Sequence, residues 1–100
     1  MEQLHQGDIL KIEQIKHPVL IVSKDFFNTS GEIIGCPIIN HSNPGPLHIW
    51  MSTKRTEGYI HCEKLTLLDL SVRGYKKMGS LPIPEMMNIS DAIQGIIEYI

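Results

Sequence analysis

Histidines, one nearby glutamate and a group of cations are the residues of this chain equipped for chemistry. The histidines stand at positions 5, 17, 41, 48 and 61. An imidazole titrates close to neutral pH, so it can give or take a proton there, whereas an arginine offers only fixed charge. His61 and Glu63 are two residues apart in extended sequence, which points both side chains to one face. The carboxylate could orient that imidazole or act as a base itself. His5 and His48 carry no pattern that sets them apart from surface histidines.

Five histidines together with Cys36 and Cys62 raise the question of zinc. The spacings fit no structural zinc pattern. There is no Cys-x-x-Cys, and adjacent His61 and Cys62 face opposite ways on a strand. No metal and no cofactor is expected. Two cysteines do not make a disulfide scaffold, and both are expected to be buried free thiols on neighbouring strands.

The cations are unevenly placed. Between Lys54 and Lys77 there are six basic residues against three acids, while the rest of the chain holds three basic residues and eight acids. A basic segment in an acidic chain marks either an anion-binding face or a solvated charged surface. Lys54 and Arg55 follow Trp50 within one connection, which suits phosphate contact beside an aromatic ring. Trp50 and Phe27 adjoin loops and are candidates for stacking on bases, a contact that contributes roughly 1–3 kcal/mol each.

Strands must position these groups. Asp8–Glu13 alternates in part, and Pro18–Ser23 is a continuous apolar run, as a strand buried on both faces would be. Asp25–Gly31 is turn chemistry. Ile33–Ile39 is a third strand whose Pro37 lacks a donor, which predicts an edge position or a bulge. Asn40–Pro46 must be a loop, and Leu47–Ser52, Gly58–Cys62 and Leu65–Leu70 are further strands. Thr53–Glu57 reads as a polar connection and Ser71–Ser80 as irregular. From Ile83 onward, Met86, Ile89, Ile93, Ile96, Ile97 and Ile100 fall at helical spacing. That stripe is either core packing or a seam for a partner. The pattern predicts a small, strongly bent antiparallel sheet or barrel with one terminal helix.

The 100 residues, 11.3 kDa, are expected to form a single domain, 1–100, and 42% apolar content suffices for one core. A net charge of −2 with 20% charged residues argues against disorder. No apolar run approaches the ~20 residues of a membrane span, and the first residues lack the basic-then-apolar order of a signal peptide. A cytoplasmic protein without membrane contact is expected.

The order of segments resembles the MazF/PemK family of bacterial toxins. Gly7-Asp8-Ile9-Leu10 is similar to the family's opening strand, and Pro18–Asp25 with Asn28 to its Pro-Val-Leu-Ile-Val stretch and following Asn. Gly58–Glu63 with Asp69 is similar to its Gly-Val-Val-Arg-Cys-Asp segment and later Asp, and Met78-Gly79 to the step before its helix. The resemblance implies a mainly β, SH3-like antiparallel barrel with a C-terminal α-helix. It implies a homodimer that cuts single-stranded RNA without metal, an mRNA interferase silenced by an antitoxin protein.

The chain departs from the family's pattern at the site. His17 stands where the family has Arg, Ile39-Asn40 where it has Thr-Ser/Thr, and His61-Cys62-Glu63 where it has Arg-Cys-Asp. The connection after the first strand, Gln14–Lys16, is shorter than the family's. The expected catalytic set is His61, Glu63 and His17. The expected RNA contacts are Asn40, His41, Ser42, Trp50, Lys54 and Arg55. The gyrase poison CcdB shares the fold, so a second reading keeps the fold without the catalysis. That reading is a binder of nucleic acid or protein acting as regulator, inhibitor or gyrase-type poison.

Overall fold

A computed structural model describes residues 3–97. Seven strands and two helices follow in the order β1 Asp8–Ile12, β2 Val19–Ile21, α1 Asp25–Asn28, β3 Glu32–Ile39, β4 His48–Ser52, β5 Glu57–His61, β6 Thr66–Asp69, β7 Tyr75–Ser80 and α2 Ile83–Ile97. All strand pairs are antiparallel, in the order β4-β5-β3-β2-β1-β7, with β6 also on β3. The sheet curls into a half-barrel, closed on one side by α2.

Both faces of the central strands are buried. Ile9 and Leu20 point into one cluster with Cys36, Ile38, Met51, Ile60, Cys62, Leu81, Met86 and Ile89. Their neighbours Leu10, Val19 and Ile21 point into the other, with Leu4, Ile12, Ile33, Leu68 and Leu70. Successive strand residues face opposite ways, so a strand with core on both sides must be apolar throughout. That is why Pro18–Ser23 shows no alternation. α2 buries Met86 and Ile89, packs Ala92 and Ile93 against the same core and leaves Ile96 and Ile97 exposed, so its stripe is core only as far as Ile93. Ile100 lies outside the described residues.

Two expectations need correction. Ser71–Ser80 is not irregular throughout, because Tyr75–Ser80 forms β7 along β1, with a register shift between Ile9 and Leu10. Its lysines suit an edge strand, where unpaired backbone needs protection, and Lys77 reaches buried Asp8 at 3.3 Å. Pro37 sits neither on an edge nor at a bulge, since β3 pairs on both sides. The Ile38 amide donates to the carbonyl of Pro18, just before β2, at 2.8 Å, so the nitrogen of position 37 faces the opposite side. On that side the partner changes from β6 at Gly35 to β5 at Ile38. The missing donor falls in the gap.

The turn at Asp25–Gly31 contains the four-residue α1. Its buried Asn28 donates to Leu4 O and Ser23 O, both at 3.2 Å, clasping the N-terminal segment to the end of β2.

Candidate functional site

Pairing in β4 and β5 places His48 opposite His61 and Trp50 opposite Tyr59, four side chains on one face of the hairpin. The two imidazoles stack, with ring centroids 3.9 Å apart and 21° between planes. Trp50 and Tyr59 meet edge to face at 5.1 Å, and Trp50 stays 50% exposed. Just past β5, Glu63 swings back to His48, its Oε2 2.8 Å from Nε2. Glu63 therefore orients His48, not His61 as two-residue spacing suggested, because β5 ends at His61.

The hydrogen bonds distinguish the two rings. His48 Nδ1 faces the Asn43 carbonyl at 3.1 Å and Nε2 faces the Glu63 carboxylate. Both partners only accept, so the imidazolium form, with a proton on each nitrogen, is the one that satisfies both contacts. The Glu63 carboxylate, then the Asn43 carbonyl, raise its pKa above the ordinary histidine value, and the same bond lowers that of Glu63. His61 is only 6% exposed. Its Nε2 meets the Ser42 hydroxyl at 2.9 Å, and its buried Nδ1 has no partner. Burial first, and then the charge of His48, push its pKa down, so the ring is neutral.

A groove of about 760 Å³ lies beside this pair. Lys16 and His17, Asn40 and His41, and Lys54, Arg55 and Thr56 line it from three separate segments of the chain. The Thr53–Thr56 turn presents those cations, closed by Thr53 N–H donating to Thr56 O at 2.8 Å. Five expected site residues thus share the groove: His17, Asn40, His41, Lys54 and Arg55. His61, Glu63 and Ser42 form the imidazole cluster next to it, and the Asn40–Ser42 segment joins the two. Trp50 belongs to neither, packing on Tyr59 along the same hairpin face.

His48 is the residue that spacing missed. It is thirteen positions from His61 in sequence, and only the hairpin register makes them opposite. The polar connection expected at Thr53–Glu57, whose last residue the structure places in β5, was the available signal: pairing the flanking strands around it brings 48 to 61. Among the described residues His48, His61 and Glu63 also form the one group of three metal-type donors, with ligand atoms all within 4.8 Å.

The model for the family described as "PemK-like, MazF-like toxin of type II toxin-antitoxin system" matches residues 6–97. No curated protein sequence matches the chain. Among solved structures, MazE-MazF from Deinococcus radiodurans is similar with a TM-score of 0.89 at 14% identity, covering 99% of this chain and 100% of that one. An endoribonuclease from a mycobacterial species is similar at 0.82 and 18% identity, over 95% and 91% of the two chains. An endoribonuclease in complex with its cognate antitoxin, also mycobacterial, is similar at 0.82 and 16%, over 97% and 99%. These likenesses show the same fold, a mainly β half-barrel with a C-terminal helix.

Proposed function

The chain belongs to the PemK-like, MazF-like toxin family of type II toxin–antitoxin systems, and from that premise we propose that it cuts single-stranded RNA with an imidazole pair. The observation that carries this reading is the His48–His61 stack beside a cation-lined groove. Metal-free cleavage needs a base for the 2′-hydroxyl, positive charge near the phosphate and an acid for the leaving 5′-oxygen. Neutral His61 is the base, reaching substrate where its Nε2 now meets Ser42. The His48 imidazolium is the acid, held by Glu63. His17, Lys54 and Arg55 take the phosphates along the groove, and Asn40 and His41 line it beside them. Trp50 stacks a base farther along the hairpin.

An antitoxin protein is the proposed partner, in keeping with the mycobacterial complex of the same fold. Its proposed place is the cationic groove. Among the described residues no helix is long and apolar enough to cross a membrane.

The deciding experiment incubates the purified protein with long single-stranded RNA in EDTA and maps the ends. Discrete cuts leaving a 2′,3′-cyclic phosphate and a 5′-hydroxyl are expected. The burial of His61 favours one other reading, a non-catalytic binder in which Ser42 is never displaced. RNA bound but uncut at every pH selects that reading.

A further inference from the structure

We propose that His48, His61 and Glu63 form a binding site for a divalent transition cation of the zinc class, which takes the place of the proton shared by His48 and Glu63.

The donor set selects the ion. Two imidazoles and one carboxylate suit zinc and its neighbours, whereas magnesium wants oxygen ligands throughout. The donor atoms already lie within 4.8 Å of one another. Around a tetrahedral ion with bonds of about 2.0–2.2 Å, ligand atoms stand about 3.4 Å apart. The His48 Nε2–Glu63 Oε2 pair, now 2.8 Å, must open slightly, and the His48 ring must turn out of the stack so that its lone pair converges with that of His61. His48 and Glu63 can do so by side-chain rotation alone, since their side chains are 28% and 37% exposed. A water completes the coordination.

His61 supplies the second observation. It is more than nine-tenths buried, yet its Nδ1 has no hydrogen-bond partner. A buried polar atom without a partner carries a desolvation cost that a ligand can relieve. The hairpin register fixes His61 opposite His48, so one partner of the ion is rigid while the other two adjust. Three such donors with an open fourth position bind an ion without the sequence signature of a structural zinc site.

The consequence for activity rests on the ribonuclease reading: an ion on both imidazoles removes the base and the acid together and silences cleavage.

The test titrates the chelator-stripped full-length protein with Zn²⁺ and Co²⁺ by calorimetry and visible absorption. One ion per chain is expected, with no response to Mg²⁺. His48→Asn and Glu63→Gln should each weaken binding roughly tenfold or more, as loss of a metal partner does. His5→Asn, whose ring lies against Asp25 elsewhere, should leave binding unchanged. Absence of binding, or binding indifferent to both variants, overturns the site. Should either variant lose its circular dichroism spectrum, imidazole NMR shifts in the parent decide: perturbation confined to His48 and His61 supports the site, and perturbation centred on His5, His17 or His41 overturns it. Ion binding in a protein that never cuts RNA overturns the ribonuclease reading alone. Cleavage unaffected by a bound ion overturns the silencing.

Discussion

His48 and His61 face each other across β4 and β5 with opposite protonation demands, their ring centroids 3.9 Å apart. One ring has acceptors at both nitrogens; the other has a hydroxyl at one and nothing at the other. Two charged imidazoles at that distance would repel, so the charge of one enforces the neutrality of the other. Pairs of titrating groups whose surroundings separate their pKa values divide naturally into acid and base.

Replacing either ring should therefore disable cleavage. His61→Ala and His48→Ala are each expected to lower the RNA cleavage rate by roughly 10²–10⁴-fold, the usual effect of losing a proton-transfer group. His17→Ala should act mainly on RNA affinity, since His17 lines the groove outside the stack. Activity within about threefold of the parent for His61→Ala would remove it from the mechanism.

In EDTA, the pH profile of cleavage should be a bell with a wide top. The rate falls on the acid side as His61 gains a proton, at a pH below the ordinary histidine value because its pKa is lowered by burial. It falls on the alkaline side as His48 loses one, at a pH above that value because Glu63 raises it. Glu63→Gln removes the raising charge, so the alkaline limb should move to lower pH. An alkaline limb that stays in place in that variant would separate Glu63 from the acid.

Both thiols should be inert while the protein is folded. Burial raises the Cys36 thiol to about 12 and the Cys62 thiol to about 11, and both side chains are fully enclosed. The thiolate is the reactive form, so a disulfide reagent should modify neither at neutral pH and both in denaturant. Rapid modification of the native protein would contradict the packing of β3 on β5.

Gly58→Ala should destabilise the fold by about 1–3 kcal/mol, the usual cost of a disfavoured backbone conformation. Its φ is +155°, and an added Cβ would stand 3.0 Å from Asn40 Oδ1, Ile38 Cγ2 and the Ile39 carbonyl carbon. Urea denaturation measures the loss. Unchanged stability would mean that β5 is not seated against Ile38–Asn40 in this way.

The homodimer that the family resemblance implies has a direct check. Ile96 and Ile97 stay exposed on α2 together with Ile83 and Met87, a greasy surface for a small domain. Light scattering at micromolar concentration should return about twice 11.3 kDa. A monomer would leave that surface without its proposed cover.

Much of the fold was legible in the sequence because its signals are local. The apolar run at Pro18–Ser23, the loop at Asn40–Pro46 and the helix from Ile83 each declare themselves within a few residues. β7 did not, since Tyr-Lys-Lys-Met-Gly-Ser has neither alternation nor an apolar run, and its partner is the distant β1. Lys54 and Arg55 were found through local clustering of charge, His17, Asn40 and His41 through resemblance in chain order, and the fold gathers all five. Glu63 was misassigned by strand parity, which ceases to hold where β5 ends. His48 required knowledge of register, which no single stretch contains.

The gap at Pro37 has a mechanical side. Beyond it, among the described residues, strand pairing ties the β4–β5 hairpin to the rest of the sheet only at Ile38–Ile60 and Ile39–Tyr59. His17 hangs on the far side of that short seam, while Lys54 and Arg55 ride on the hairpin tip. The groove thus draws its cations from both sides of that seam, whereas the imidazole stack joins the two strands of the hairpin itself.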